Sequence, residues 1–162
     1  MLRRKIYSLF PFSFNMLTPE QVAWRCAEIM WPDDHAARGL GMKIEAVSPG
    51  TATLSMSVRP DMVNGHGICH GGFIFAVADS AFAYACNSFN HRTVAAGVDI
   101  NFLAPAHLGD LLTARGQARQ QAGRSGVYDI EVTNQANKLI AVFRGRAARI
   151  KGHFFDPGEN TA

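Results

Sequence analysis

Charge is scarce in this sequence, and it is scarcest in the middle of the chain. Charged residues make up 18% of the 162 residues, below the quarter that is usual for globular domains. Between Asp61 and Arg92 the only Asp, Glu, Lys or Arg is Asp79, which lies within an apolar run that begins at Phe73. An unpaired carboxylate is costly to bury. We therefore expect Asp79 to have a chemical role rather than a simple place in the core.

Other absences exclude whole classes of protein. Three cysteines without a repeating spacing do not suit a disulfide framework, so we expect a reducing, cytoplasmic location. The net charge of +3 and the pI near 9.0 fit an anionic small molecule but are too weak to indicate nucleic-acid binding. The apolar run is too interrupted to span a membrane and predicts a core helix. A chain with so few charges often buries surface in an oligomer.

The first fifteen residues differ from the rest of the chain. Arg3, Arg4 and Lys5 precede an apolar, aromatic stretch, and no acid occurs before Glu20. Three interpretations stay open: a targeting leader, an overlong translation start with Met16 as the true first residue, or a native arm. No small-residue cleavage site follows the apolar stretch, which argues against a secretory signal. The expected parts are an N-terminal extension (1–15), one domain (16–152) and a flexible tail (153–162).

Sequence periodicity predicts a domain of mixed α and β structure. Thr18 and Gln21 can form a capping box, which predicts a helix that runs to Met30. A long helix that is apolar on all sides is expected over residues 71–87. Alternation of apolar and polar residues predicts strands at 42–47, 52–58, 93–102, 111–121, 127–134 and 139–150. Tight hairpins imply antiparallel pairing, so the expected fold class is α+β, with one sheet curled round the long helix.

The start of the long helix indicates chemistry on a carbonyl group. His70, Gly71 and Gly72 stand where the helix begins, and glycine lets backbone N–H groups approach a substrate closely. Such N–H groups, aided by the helix dipole, stabilise the negative charge that forms on a carbonyl oxygen under attack. Asp79 supplies a carboxylate eight residues after Gly71. We expect His70 to brace the loop at the helix start.

Metal and thiol chemistry fit this region less well. His66, Cys69, His70 and Asp79 are residue types that bind metals. However, Gly67 and the loop context argue against a preformed helix with the two histidines on one face, so no metal site is predicted. Cys69 beside His70 does not indicate a thiol nucleophile, because adjacent side chains on a loop rarely face each other. No glycine fingerprint of a nucleotide-binding loop occurs.

The string from 64 to 72, followed by Asp79, resembles the hotdog-fold thioesterases, and within them the phenylacetic acid degradation thioesterase subfamily. The resemblance extends over roughly residues 40–151 and is strengthened by the helix stretch 78–87 and the strand 126–132. It implies a hotdog fold, in which an antiparallel sheet of five to six strands wraps round a long central helix. It also implies hydrolysis of acyl-CoA thioesters to free acid and coenzyme A, with no metal or organic cofactor.

The resemblance implies roles for individual residues. Gly71 would donate its backbone N–H to the oxyanion, and Asp79 would be the nucleophile or the general base. Asn64 would position the carbonyl or the water, and Ser80 is a further candidate beside Asp79. Some related enzymes hold the attacking water with a Ser or Thr that aligns near Ala95. Its absence here leaves that task to Asp79, Ser80 or Asn64.

The resemblance implies a substrate that carries an aryl acyl group, such as phenylacetyl or a ring-hydroxylated phenylacetyl, and aromatic residues of the helix are candidates for the wall of its pocket. The turn at 122–126 is a candidate site for the nucleotide end of coenzyme A, because Arg and Ser donors near a Gly turn suit a phosphate. The expected substrate and coenzyme A contacts are Gly72, Phe73, Phe82, Tyr84, Arg124, Ser125 and Gly126.

Helix geometry separates the acid from the amide within one chain. Eight residues span about 12 Å of helix, whereas a reaction centre needs both groups within about 3 Å of the reacting atoms. We therefore expect Asp79 to act with Gly71 of a second subunit in a homodimer with two shared sites; the resemblance implies a homotetramer. Two alternatives stay open: a hotdog dehydratase that uses His70 on hydroxyacyl thioesters, and a non-catalytic acyl-CoA binder.

Overall fold

A computed structural model describes residues 17–156 of the chain. Within that range lie three α-helices, two short 3-10 helices and six strands, in the predicted order. No helix in this part of the chain is both long and apolar enough to cross a membrane. The bounds of the main elements are α1 Pro19–Met30, α2 His35–Gly39, β1 Lys43–Ser48, β2 Thr51–Ser57, α3 Gly71–Asn87, β3 Thr93–Phe102, β4 Leu111–Ala122, β5 Ser125–Thr133 and β6 Leu139–Arg149.

The first helix begins and ends where its sequence predicts. The N–H of Gln21 donates to Oγ1 of Thr18 at 3.2 Å, and the N–H of Thr18 donates to Oε1 of Gln21 at 2.8 Å. This reciprocal capping box is confirmed, and such a cap is worth about 1 kcal/mol. Ala23, Cys26 and Ala27 are buried on one side of α1, which packs against β1.

The six strands form one antiparallel sheet in the order β1-β2-β4-β5-β6-β3. The last three strands of the chain, β4, β5 and β6, form a meander. In contrast, β3 pairs with β6, so that Phe102 lies opposite Ala141 and Thr93 lies opposite Arg149. Only three of the four strands that follow α3 therefore form the meander, because β3 lies at the far edge of the sheet. The predicted α+β class and the six-stranded antiparallel sheet are confirmed.

The long helix α3 is the centre of the core. Val77 and Ala81 are fully buried, and the small side chains on this face let the sheet approach the helix closely. A Cβ atom on Gly116 of β4 would lie 3.3 Å from the carbonyl oxygen of Ala81. The ring of Phe82 lies 5.5 Å from that of Tyr128, and burying such a ring contributes roughly 1.5–3 kcal/mol. The predicted helix that is wrapped on several sides is therefore present.

Side-chain amides fix the chain where α3 ends. Nδ2 of Asn87 donates to the carbonyl oxygens of Ala83 and Thr93, at 2.9 and 3.0 Å, and Oδ1 of Asn87 accepts from the N–H of Thr93 at 2.8 Å. Oγ of Ser88 accepts from the N–H of Gly50 at 2.7 Å and donates to the helix. These bonds join the helix end to β3 and to the β1–β2 turn.

The predicted flexible tail begins with residues that are held in place. Asn90 is buried at a φ of 56°. Its Oδ1 accepts from the N–H groups of Phe154 and Phe155, and its Nδ2 donates to the carbonyl oxygen of Phe155 at 3.0 Å. One side-chain amide thus supplies Phe154 and Phe155 with hydrogen-bond partners, and the flexibility of the tail stays a prediction. The predicted extension at 1–15 and the end of the tail lie outside the described residues.

Candidate active site

A cleft of about 590 Å³ lies at the N-terminal end of α3. The loop before the helix, the first helical turns and the segment that ends β3 form its walls. Two residues that the sequence predicts to share a site, Asn64 and Gly71, both line this cleft. The other lining residues include Ile68, Ile74, Phe102 and Leu103.

The two glycines at the helix start differ in what their amides contact. The N–H of Gly72 donates to Nδ1 of His70 at 2.9 Å. The N–H of Gly71 has no hydrogen-bond acceptor within residues 17–156. The first N–H groups of any helix lack partners inside the helix, and the His70 ring satisfies only one of them. The amide to which the resemblance assigns the oxyanion is therefore the one that is free to donate.

His70 caps the helix, in agreement with its expected bracing role. Its own N–H donates to the carbonyl oxygen of Met62 at 2.8 Å, which ties the helix start to the loop. Because Nδ1 accepts from Gly72, the proton of a neutral His70 ring resides on Nε2. A Cβ atom on Gly72 would lie 3.1 Å from Nδ1. Gly72 thus has a structural reason to be glycine, and its amide is occupied by the cap rather than open to a ligand.

The two ends of the Asn64 carboxamide have different surroundings: its oxygen stabilises a turn, and its nitrogen has no acceptor among the described residues. Its Oδ1 accepts from the N–H of His66 at 2.9 Å and from that of Ile68 at 3.4 Å. These bonds set the orientation of the carboxamide, so the Nδ2 hydrogens point away from the turn. Within the described part of the chain, Nδ2 of Asn64 donates no hydrogen bond. Asn64 therefore can hold the loop with one atom and contact a substrate or a water with the other.

Asp79 is half-buried on α3. Neither a hydrogen bond nor an ion pair joins its carboxylate to another residue of 17–156, and burial raises the pKa of the Asp79 carboxyl above its usual range. Ser80 beside it is also half-buried, and its hydroxyl has no hydrogen bond to the described chain. Asp79 does not line the cleft that holds Gly71. Within one chain, the structure does not bring the carboxylate and the amide together.

Two aromatic residues that were expected to line an aryl pocket lie in the core instead. Phe82 and Tyr84 are each 1% exposed. Phe82 packs on the rings of Tyr128 and Phe143, which project from the sheet. The hydroxyl of Tyr84 donates to Oδ2 of Asp34 at 3.0 Å. The prediction was wrong because α3 is apolar on all sides, so periodicity does not show which aromatic residues face the sheet.

Phe73 lies on the first turn of α3 and is half-buried. Its ring centroid is 6.2 Å from that of His70, with the two rings nearly perpendicular. It packs against the cap of the helix and is not among the residues that line the cleft.

The expected coenzyme A contacts lie at the opposite end of the molecule from the cleft. Arg124 and Ser125 are exposed at the β4–β5 turn, where the N–H of Arg149 donates to the carbonyl oxygen of Arg124 at 2.8 Å. Arg149 pairs with Thr93, just after the end of α3. The turn is therefore separated from Gly71 by the length of the helix, roughly 24 Å at 1.5 Å per residue.

Gly126 in the same turn is buried. A Cβ atom there would lie 2.8 Å from Cε2 of Tyr128, closer than real Cβ contacts. Packing against that ring explains this glycine without a ligand. The guanidinium of Arg124 donates from one nitrogen to the carbonyl oxygen of Arg149 at 3.3 Å, which leaves its other nitrogens and the exposed Ser125 for a ligand.

The cysteines are buried free thiols. Burial raises the pKa of Cys69, which is the opposite of the shift that activates a thiol nucleophile. No three or more His, Cys, Asp or Glu side chains among residues 17–156 are grouped so that they could hold a metal ion. That the reaction needs no cofactor stays a prediction.

Sequence reasoning missed the apolar wall of the cleft. Phe102 and Leu103 are 52% and 55% exposed, although both are large and apolar. One signal was available: apolar residues continue past the end of a predicted strand and run directly into Pro105, where a polar turn is usual. Only the pairing of β3 with β6 places this segment beside the start of α3.

Three comparisons place the chain among known proteins. Residues 66–141 match the sequence model of the Thioesterase superfamily. The acyl-coenzyme A thioesterase PaaI of Escherichia coli (strain K12) is 48% identical over 130 residues, which cover 80% of this chain and 93% of the relative. The solved structure of the E. coli PaaI protein, from the phenylacetic acid degradation operon, has a TM-score of 0.83 at 46% identity and covers 84% of this chain and 99% of that one.

A mutant of the phenylacetic acid degradation protein PaaI from Thermus thermophilus is also similar. Its TM-score is 0.70 at 35% identity, over 72% of this chain and all of that one (100%). An antiparallel sheet wrapped round one long helix is the hotdog fold, and the similarity to these proteins identifies the chain as a hotdog-fold thioesterase. The chain belongs to the thioesterase superfamily, so the family resemblance of its sequence is confirmed.

Proposed function

We propose that this enzyme hydrolyses acyl-CoA thioesters to a free acid and coenzyme A, with a preference for aryl acyl groups such as phenylacetyl or hydroxyphenylacetyl. The observation that carries the proposal is the Gly71 N–H, which is unpaired among the described residues and lies in a cleft with apolar walls. The choice of substrate is supported by two relatives, one of which is an acyl-coenzyme A thioesterase and the other a protein of phenylacetic acid degradation.

The proposed reaction uses few groups. The Gly71 N–H donates to the carbonyl oxygen of the thioester as negative charge develops there, and one such donor accelerates a reaction about 10²–10³-fold. Asp79 either takes a proton from the attacking water or attacks the carbonyl carbon itself. A new carbon–oxygen bond forms, the carbon–sulfur bond breaks, and the thiolate of coenzyme A leaves and takes up a proton. If water is the nucleophile, the free acid forms in this step; if Asp79 is, the acyl group is held as an anhydride on Asp79, and water hydrolyses it to the free acid and restores the carboxylate. Asn64 holds the carbonyl or the water through its Nδ2 donors.

In this proposal each site is shared by two subunits of a homodimer. The separation of Asp79 from Gly71 along α3, about 12 Å, supports sharing, because one carbonyl does not reach both groups in one chain. The edge position of β3 in the sheet also supports it. An edge strand presents unpaired backbone groups to a second chain, and Val94 on β3 is 46% exposed. Two antiparallel α3 helices would set the partner subunit's Asp79 opposite Gly71.

The same arrangement gives the β4–β5 turn a role. If the two α3 helices are antiparallel, the C-terminal end of one helix lies near the N-terminal end of the other. Arg124 and Ser125 of one subunit would then serve the cleft of the other and bind phosphate groups of coenzyme A. A homotetramer and a cytoplasmic location complete the proposal. The scarcity of charged residues, at 18%, supports the homotetramer. The free thiols at Cys26, Cys69 and Cys86 support the cytoplasmic location.

A thiol-release assay over aryl, short-chain and long-chain acyl-CoAs tests the proposal. We expect release from the wild-type enzyme to be fastest with phenylacetyl-CoA. Asp79→Asn should lower kcat by about 10²–10⁴-fold, because it removes the base or nucleophile, while calorimetry shows unchanged thioester binding. Asp99→Asn, a matched change at an exposed carboxylate of β3, should leave kcat unchanged. No release from any thioester would refute the proposal.

The alternatives predict other outcomes in the same experiment. A dehydratase would add water to an enoyl thioester without releasing thiol. The structure gives that alternative little support, because Nδ1 of His70 is committed to the helix cap and Asp79 lies nine residues further along. A non-catalytic binder would give a calorimetric signal with both wild-type protein and Asp79→Asn, and no turnover with either.

A further inference from the structure

Phe102 has an unusual position for a large apolar residue. It is the last residue of the edge strand β3 and is 52% exposed. Its ring lies over the start of α3: a Cβ atom on Gly71 would be 3.0 Å from Cζ of Phe102 and 3.4 Å from Cε1 and Cε2. The ring therefore occupies the space where any other residue at position 71 would place its side chain.

This contact puts an aromatic ring beside the free amide of the cleft. A carbonyl oxygen that accepts from the Gly71 N–H lies about 3 Å from that nitrogen, and the first carbon of the acyl chain is two bonds from that oxygen. The acyl group therefore begins close to Gly71, where the Phe102 ring lies against the helix start. Ile68, Ile74 and Leu103 line the same cleft, but they are aliphatic, and among the described lining residues Phe102 alone is a phenyl ring.

We propose that Phe102 is a specificity-determining residue that favours aryl acyl groups, an inference that rests on the thioesterase function proposed above. Two aromatic rings whose centroids lie about 4.5–7 Å apart attract each other beyond the effect of their buried area. A phenylacetyl group has one carbon between its carbonyl and its ring, which sets that ring within this range of Phe102. A straight acyl chain fills the cleft without this attraction.

The test compares two thioesters with the same number of acyl carbons, phenylacetyl-CoA and octanoyl-CoA. The measured quantity is the ratio of their kcat/KM values. Phe102→Leu, which keeps an apolar side chain but removes the ring, should lower this ratio about three- to tenfold. Phe102→Tyr, which keeps the ring, should retain it. Leu108→Ala, a change at an apolar residue that is 58% exposed and outside the cleft, is the control and should leave the ratio unchanged.

The outcomes separate this inference from the function on which it rests. An active Phe102→Leu enzyme with the wild-type ratio overturns the role of Phe102 and leaves the thioesterase intact. The absence of thiol release from the wild-type enzyme overturns the proposed function instead. If Phe102→Leu does not fold, Phe102→Met is judged by the same ratio. Sedimentation of each variant reports its assembly: an altered oligomer with an unaltered ratio would assign Phe102 to a subunit contact and overturn the inference.

Discussion

The two ends of α3 use the same kinds of residue in opposite ways. At the C-terminal end, the side chains of Asn87, Ser88 and Asn90 are buried and each makes hydrogen bonds to backbone groups. At the N-terminal end, the described chain provides no acceptor for the N–H of Gly71 or for Nδ2 of Asn64, and large apolar side chains are exposed nearby.

The two ends differ in how many of their polar groups have hydrogen-bond partners among the described residues. Buried polar groups without partners are costly, so the C-terminal end is built for stability. Open donors and exposed apolar surface raise the free energy of the isolated chain, and a substrate or a second subunit lowers it again. The C-terminal end is not fully paired either, since Nδ1 of His91 is buried without a partner among the described residues. We expect function where the unpaired donors face a cleft, so changes at the two ends should have separate effects on rate and on stability.

Among changes at the two ends of α3, the largest expected effect is the loss of the Gly71 amide. Proline is tolerated at the first position of a helix, so Gly71→Pro removes the N–H without breaking α3, and kcat should fall about 10²–10³-fold. Gly71→Ala is the matched control, because it adds a Cβ against Phe102 but keeps the N–H. Thiol release at saturating substrate measures both variants, and an equal loss in the two would mean that crowding, not the amide, matters.

Mixing inactive variants tests the sharing of sites. If Asp79 of one subunit serves Gly71 of the other, a hybrid of Asp79→Ala with Gly71→Pro has one intact site and one doubly altered site. After full exchange half of the dimers are hybrids with one of two sites, so an equal mixture should recover about a quarter of wild-type activity. An inactive mixture, with exchange verified by mass spectrometry, would contradict a shared site.

The next effect is the pH dependence that Asp79 imposes. Burial raises the pKa of this carboxyl, and the ionised form is the reactive one. Thus kcat/KM should fall about tenfold per pH unit on the acid side, beginning above the range of an ordinary aspartate, near 3.9. An acid limb whose midpoint lies at or below that of an exposed aspartate would show that Asp79 is not the titrating group.

Stability should depend on the same group with the opposite sign. Because its pKa is raised on folding, the protonated form contributes stability that is fully present below the unfolded pKa and is lost as pH rises through the folded pKa. Asp79→Asn should therefore have a higher Tm than the wild type at pH 7, and the two should converge below about pH 4. Calorimetry at several pH values measures the difference. Equal Tm values throughout would mean that the charge has a partner in the assembled enzyme.

The smallest effect on rate is expected at the other end of α3. Asn90→Ala removes the bonds to Phe154 and Phe155 and places alanine at a positive φ, so stability should fall by about 2 kcal/mol, or roughly 4–8 °C in Tm. Asn90→Gly tolerates the φ but loses the amide, and its loss should be smaller. The kcat of both variants should stay near that of the wild type. A large fall in kcat without a fall in Tm would contradict the claim that the C-terminal end of α3 contributes to stability and not to rate.

Much of the fold could be predicted from short stretches of sequence. Thr18 and Gln21 marked the first helix because a capping box is completed within a few residues, and the run after Gly71 marked α3 because no loop tolerates so many apolar residues. The pair Gly71 and Asn64 was also predictable, since both belong to one continuous string of sequence.

The other features depend on pairing between segments that are far apart in the chain, which the sequence does not show. Phe82 and Tyr84 face the core, and Phe102 faces the cleft, only because the sheet curls on particular sides of α3. The edge position of β3 depends on its pairing with β6, which lies far along the chain. Asparagine is a common turn residue, so Asn90 does not stand out in the sequence. No local sequence pattern indicates its hydrogen bonds to residues 154 and 155.

The close approach at Gly116 limits how this enzyme adapts to its substrate. The backbone of β4 approaches the carbonyl oxygen of Ala81 closely at this point, so the sheet restricts the movement of α3, which carries both Gly71 and Asp79. We therefore expect different acyl groups to be accommodated by the segments that line the cleft, 66–69 and 102–105. Evolution can thus retune selectivity by exchanging the residues of these two segments, without disturbing the machinery that cleaves the bond.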